Sequence, residues 1–302
     1  MPFIYPGQDA KAILEDVQSA SIPDVHKLMF NWIESFTRDS SSLTQGDINK
    51  LLQGGVSHQE IVEWANIAAT QTWFVMSADG GGIPLEGNAV TGSVIGLERE
   101  KYHAAEVLTS PASDTEVQIN DLSWVDRDDS HIGSELKDWA SRRYGFVPNF
   151  FMANTLAAGY FRRHILALEL LDQPQSKSLG VEQHALVRRL VNRLNKGRYF
   201  DQTTVDYLKC QNPQAEVLLA QGIAQGDFSA FTEQDRVVLA FAEKLVKNAY
   251  KVTASDVKRF LDVGLDEEAY VDVLNTTSIQ TSMDRTANAL GIKPDEKSLI
   301  VK

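Results

Sequence analysis

Residues 253–292 read TASDVKRFLDVGLDEEAYVDVLNTTSIQTSMDRTANALGI, and residues 44–83 read TQGDINKLLQGGVSHQEIVEWANIAATQTWFVMSADGGGI. Laid over each other without a gap, at an offset of 209 residues, the two stretches agree at 11 of 40 positions. Average composition would give about two or three. The agreements fall where helix geometry needs them. Thr44-x-x-Asp47 and Thr253-x-x-Asp256 are equivalent helix starts, and Gly55 and Gly264 suit equivalent helix ends.

The overlay extends upstream. Val25, Leu28, Met29, Trp32, Ile33 and Phe36 recur at three- and four-residue steps and form one apolar stripe, which continues onto Val237, Val238, Phe241, Ala242 and Leu245 in the second stretch. Pro23 stands where a first helical turn tolerates it. Ser57-His58-Gln59-Glu60 is a capping box that opens a helix through about Asp79, closed by Gly80-Gly81-Gly82. Strand-like alternation with hairpin turns is missing, so the chain is predicted to be all-α. Nothing upstream of Ile22 matches residues 130–230, and the first copy is therefore half as long as the second. Two equivalent helical units in one chain predict pseudo-symmetric packing within the monomer. The expected organisation is an N-terminal helical half-repeat over 1–86, a connector over 87–121 with a short helix near Leu97–Leu108, and a full helical domain over 122–302.

With 302 residues, of which 43% are hydrophobic, the chain is large enough to bury sizeable cores. Its formal charge of −12 disfavours nucleic acid and anionic membrane as partners. No apolar run approaches the roughly 18 residues of a membrane helix, and Met1–Gly7 lacks the basic and apolar regions of a signal peptide. A single cysteine, Cys210, precludes an intramolecular disulfide framework and fits a reducing compartment, so a cytoplasmic location is expected.

Several spaced segments resemble one family. Tyr144-Gly145-Phe146-Val147-Pro148-Asn149-Phe150 with Met152, Leu156 and Tyr160 looks like the entry segment of the alkylhydroperoxidase D-like, carboxymuconolactone decarboxylase superfamily, in its peroxidase-related form. Glu182 to Phe200 resembles its redox helix, and Phe231 to Leu245 with Val252-Thr253 and Gly264-Leu265 resembles the following helical pair. Asp284-Arg285-Thr286-Ala287-Asn288-Ala289-Leu290-Gly291-Ile292 resembles its final helix and Leu-Gly turn. The similarity spans roughly 122–296, with the half copy over about 22–86. It implies the family's helical fold and a homo-oligomer. Its functional positions are not retained. Aligned on Asn195 and Tyr199, the two redox cysteines fall on Gly197 and Phe200, the histidine on Thr204 and the relay glutamate on Ala185. Dithiol chemistry needs one sulfur to attack and a second to resolve, so thiol peroxidase activity is not expected.

Three readings remain open. The favoured one is a non-thiol enzyme acting on a small molecule, anions among the candidates, with Tyr199, Glu182 and His184 as catalytic groups and Arg193, Phe200 and Arg285 contacting substrate. It predicts an open, partly polar cavity beside Tyr199. The second is a non-catalytic binding or scaffold protein, in which Phe200 plugs the old pocket among apolar neighbours. The third is a metal enzyme using Glu100-x-x-His103; no second Glu-x-x-His accompanies it, so no metal or other cofactor is assigned. Arg188, Arg189, Arg193, Lys196 and Arg198 concentrate positive charge, which suits either anion binding or a solvated helix face.

Overall fold

The computed structural model describes residues 7–83, 122–127, 134–157, 159–160, 176–205 and 207–300. These are predominantly helical: α1 Gly7–Glu15, α2 Asp24–Asp39, α3 Gln45–Gln53, α4 His58–Gly80, α5 Ser134–Tyr144, α6 Asn149–Met152, α7 Val181–Leu194, α8 Arg198–Thr203, α9 Tyr207–Gln211, α10 Pro213–Gln225, α11 Glu233–Asn248, α12 Ala254–Asp262 and α13 Glu267–Ala289. One extended pairing joins them, parallel, between β1 Thr204–Val205 and β2 Leu299–Ile300. The chain is all-α, and the predicted helix at Leu97–Leu108 lies outside the described residues.

The internal repeat is realised element by element. Shifting α2, α3 and α4 by 209 residues reproduces the bounds of α11, α12 and α13, and the 3-10 turn Ser40–Ser42 becomes Ala249–Lys251. Local chemistry explains the agreement. The Thr44 N–H donates to Asp47 Oδ2 at 3.0 Å, and the Thr253 N–H donates to Asp256 Oδ2 at 2.8 Å, so each copy satisfies an otherwise orphaned donor at the same helix start. Gly55 and Gly264 both adopt left-handed backbone, with φ of 92° and 82°, which a side chain would resist. Apolar positions agree too: Trp32, Phe36, Leu51 and Val56 are buried, as are their equivalents Phe241, Leu245, Phe260 and Leu265.

The long helices α4 and α13 pack antiparallel across the centre. Tyr270 Oη donates to the Gly80 carbonyl, the Ser77 and Ser278 hydroxyls meet at 3.2 Å, and Arg285 reaches Thr72 Oγ1 at 3.4 Å. One helix is thus traversed downward while the other is traversed upward. Two apolar cores flank this axis, and α13 feeds both: Ile279 and Met283 enter the N-terminal core, Val273 and Leu274 the other. Each fully buried large side chain contributes about 1.5–3 kcal/mol, which fixes the register of the pair.

The copies differ in what covers them. Helix α7 packs on α11 and α13, and the described residues hold no counterpart of it over α2 and α4. Thr276 and Asp284 are accordingly buried on α13, whereas their equivalents on α4, Ile67 and Val75, are 47% and 45% exposed.

Candidate functional site

Helix α7 ends in two reversed bonds: the Lys196 N–H donates to the Arg193 carbonyl at 3.1 Å, and the Gly197 N–H donates to the Asn192 carbonyl at 2.7 Å. This closure puts Lys196 in left-handed backbone, φ 52°, where glycine is the usual occupant. The turn is stitched to α13. Asn288 Nδ2 donates to the Asn195 carbonyl at 3.1 Å, and Asn195 Nδ2 donates to Thr281 Oγ1 at 3.2 Å and Asp284 Oδ2 at 3.3 Å.

Asp284 occupies the place a side chain at position 197 would need. A Cβ built on Gly197 would lie inside the contact shell of its carboxyl group, 2.5 Å from Cγ. Asp284 is fully buried, and burial raises its pKa to about 8 against the opposing bonds from Gln280 and Asn195. Asn192 stands 3.0 and 3.1 Å from the two carboxyl oxygens. Turned one way, its amide nitrogen donates to the ionised form. Turned the other way, its oxygen accepts the proton of the neutral form.

Position 200 is closed differently. Phe200 is 1% exposed and packs against Tyr199 and Phe150, with ring centroids 4.8 and 5.1 Å away. Tyr199 is equally buried; its hydroxyl donates to Asp295 Oδ2 and accepts the Phe150 N–H at 3.3 Å. Burial, then the Asp295 charge, raises the Tyr199 pKa well above the usual phenol value. Asp295, raised by its own burial, also accepts the Asn149 N–H at 2.7 Å, tying the C-terminal segment to the start of α6. Replacing Tyr199 by Phe removes one bond of this bridge and leaves a buried carboxyl group under-satisfied. We expect a loss of about 1–3 kcal/mol in urea unfolding. Wild-type stability in Tyr199→Phe would show that the hydroxyl anchors nothing.

Thr204 begins β1, paired with Leu299, and its carbonyl accepts Arg189 Nη2 at 2.7 Å and Lys209 Nζ at 2.8 Å. Arg189 also donates to the Asp201 carbonyl at 3.0 Å. Arg188 and Arg189 are therefore interior groups rather than members of a solvated face, at 4% and 0% exposure. Cations aimed at the last carbonyls of α8 replace the water those carbonyls would otherwise bind.

The other sequence candidates are dispersed. Ala185 is buried on α7. Glu182 accepts Asn212 Nδ2 at 2.6 Å, and Arg193 binds Glu216 Oε1 at 3.2 Å. His184 Nε2 lies 3.0 Å from Thr276 Oγ1, and burial, helped by Arg188, lowers its pKa to about 3, which keeps it neutral. Glu100 and His103 lie outside the described residues. Among the described residues, no three His, Cys, Asp or Glu side chains converge as metal ligands would, and no helix is long and apolar enough to cross a membrane.

Arg285 faces elsewhere. It lies on a groove of about 390 Å3 between α2 and α4 on one side and the end of α11 on the other. Trp64, Ile67, Ala68, Val75 and Met76 supply apolar walls. Among the described residues, no α7 counterpart covers this face of the half copy.

No family model matches the sequence, and no curated protein matches it. Among solved structures, the chain is similar to an uncharacterized peroxidase-related protein from Silicibacter sp. TM1040, at 17% identity and a TM-score of 0.45. The similarity covers 55% of this chain and 85% of that one.

Sequence reasoning missed Asp284, Asp295 and Phe150 as determinants of the region around Gly197 and Phe200. Asp295 follows the final helix in a segment without periodicity, and only its 96-residue bond to Tyr199 reveals a role. Asp284 carried a signal: in the overlay it faces Val75, an apolar-to-acid change within a helix that the repeat otherwise aligns.

Proposed function

We propose that this chain is a redox-inactive protein of the alkylhydroperoxidase D-like, carboxymuconolactone decarboxylase superfamily that acts by binding a small molecule rather than converting one. The filling of the aligned redox positions supports this reading. A carboxyl group occupies the space beside Gly197, and Phe200 is sealed among aromatic rings. The chain's one cysteine, Cys210, is exposed and has no second thiol in the chain to resolve a mixed disulfide. The groups suited to non-thiol chemistry are engaged separately: Tyr199 with Asp295, Glu182 with Asn212, and His184 with Thr276.

Two measurements test this together. Peroxide in dithiol buffer should be consumed at the rate of buffer alone, and Cys210→Ser should change nothing. A panel of small carboxylic acids, amides and phenols should contain compounds that raise the Tm and are recovered intact by mass spectrometry. Peroxide turnover, a converted compound, or a panel with no stabilising member would each overturn the proposal.

A further inference from the structure

The groove beside Arg285 combines an apolar body with a guanidinium that the protein leaves largely unused. Arginine carries five N–H donors, and among the described residues this one makes a single bond, Nη1 to Thr72 Oγ1, at the long distance of 3.4 Å. Among the described residues, no carboxylate forms an ion pair with it; Asp39, which contributes to its field, is held by Lys196 at 3.2 Å. The adjacent Asp284 is kept largely protonated by burial at neutral pH. Such a cation at the side of an apolar groove fits a single carboxylate through paired donors.

The repeat explains why the space exists. In the second copy, α7 covers the equivalent face, whereas among the described residues the first copy leaves a groove of about 390 Å3 there. The volume lies within the range of small-molecule sites. The 3-10 turn with Tyr250 bounds one end of the groove, and Lys247 at its rim is paired with Glu243 at 2.6 Å. Among the described residues that line the groove, Arg285 is thus the cation left to orient a ligand.

We propose that this groove binds a small apolar monocarboxylate, its carboxylate on Arg285 and its hydrocarbon body against Trp64, Ile67, Val75 and Met76. The proposal rests on the reading of the chain as a binding protein and adds the site and the ligand class. The probes are octanoate and its uncharged analogue octanamide, titrated calorimetrically into the full-length protein. Octanoate should bind one site at least about tenfold more tightly than octanamide. Arg285→Met should abolish that preference, and Ile67→Trp, a change at a half-exposed position that keeps the fold intact, should weaken both ligands.

Equal binding of the two probes, retention of the preference in Arg285→Met, or no octanoate binding up to about 10 mM would overturn the site. Sedimentation of the same samples adds a further arm: a wild-type dimer that Ile67→Trp dissociates would assign the face to a second copy and overturn it equally. Conversion of octanoate, by contrast, would leave the site standing and remove only the non-catalytic reading.

Discussion

A methyl group added at position 197 should be among the most costly small changes in this protein. In Gly197→Ala the new Cβ meets the Asp284 carboxyl group, which is fully buried and bonded to Gln280 and Asn195. The clash is with a group that cannot rotate into solvent, so either those bonds break or α13 shifts. Overpacking plus a disrupted buried polar cluster together cost about 3–5 kcal/mol. For a chain of this length we expect a fall of about 10 °C in Tm. The partner change locates the cause: Asp284→Ala should recover a large part of the loss in the Gly197→Ala background, giving a strongly non-additive cycle. Wild-type stability in the single variant, or additive effects in the double, would show that the two residues do not compete for space. The same geometry bears on introducing a cysteine at 197, because its thiol would have to displace Asp284 before doing any chemistry.

Asp284 should also give the chain a distinctive response to pH. Its pKa is about 8 in the folded protein, well above the ordinary value, because burial disfavours its charge. Between the unfolded and folded values the native state holds a proton that the unfolded chain has released. Stability from this group is therefore complete in acid and declines as pH rises from about 4 through about 8. Asp284→Asn removes the titration while keeping the shape and one amide donor. Stability measured as the variant minus wild type should swing in favour of the variant by about 4 kcal/mol between pH 5 and 8. Comparing the two proteins cancels the opposite contributions of Asp39, Asp47 and Asp256, whose pKa values are lowered and whose stabilisation is lost in acid. A difference that stays flat across that range would place the carboxylate in a polar, charge-tolerant pocket and refute the assignment.

Much of the fold was legible because local rules and the internal repeat agree. Caps at Thr44 and Thr253, left-handed glycines at Gly55 and Gly264, and apolar spacing at Trp32 and Phe241 specify the same helices twice. Consistency of this kind is visible in one dimension. The candidate site was less so. Phe200 as a plug could be weighed from its size and apolarity, but its partner Phe150 is 50 residues away. Arg188 and Arg189 resemble a solvated stripe by composition, yet their burial depends on where β1 and α8 return. The groove at Arg285 was least legible, because it arises where, among the described residues, only the second copy has a covering helix.

The unequal cover of the two copies among the described residues has a consequence for how such a chain can change. When two identical subunits meet across a two-fold axis, every substitution appears on both sides, and its cost is felt twice. Joining the halves in one polypeptide releases that constraint. Val75 and Asp284 hold equivalent places, one facing an open apolar groove and the other sealed beneath a turn. Each can be altered without imposing its chemistry on its twin, so covalent linkage lets one half specialise for occupancy while the other specialises for closure.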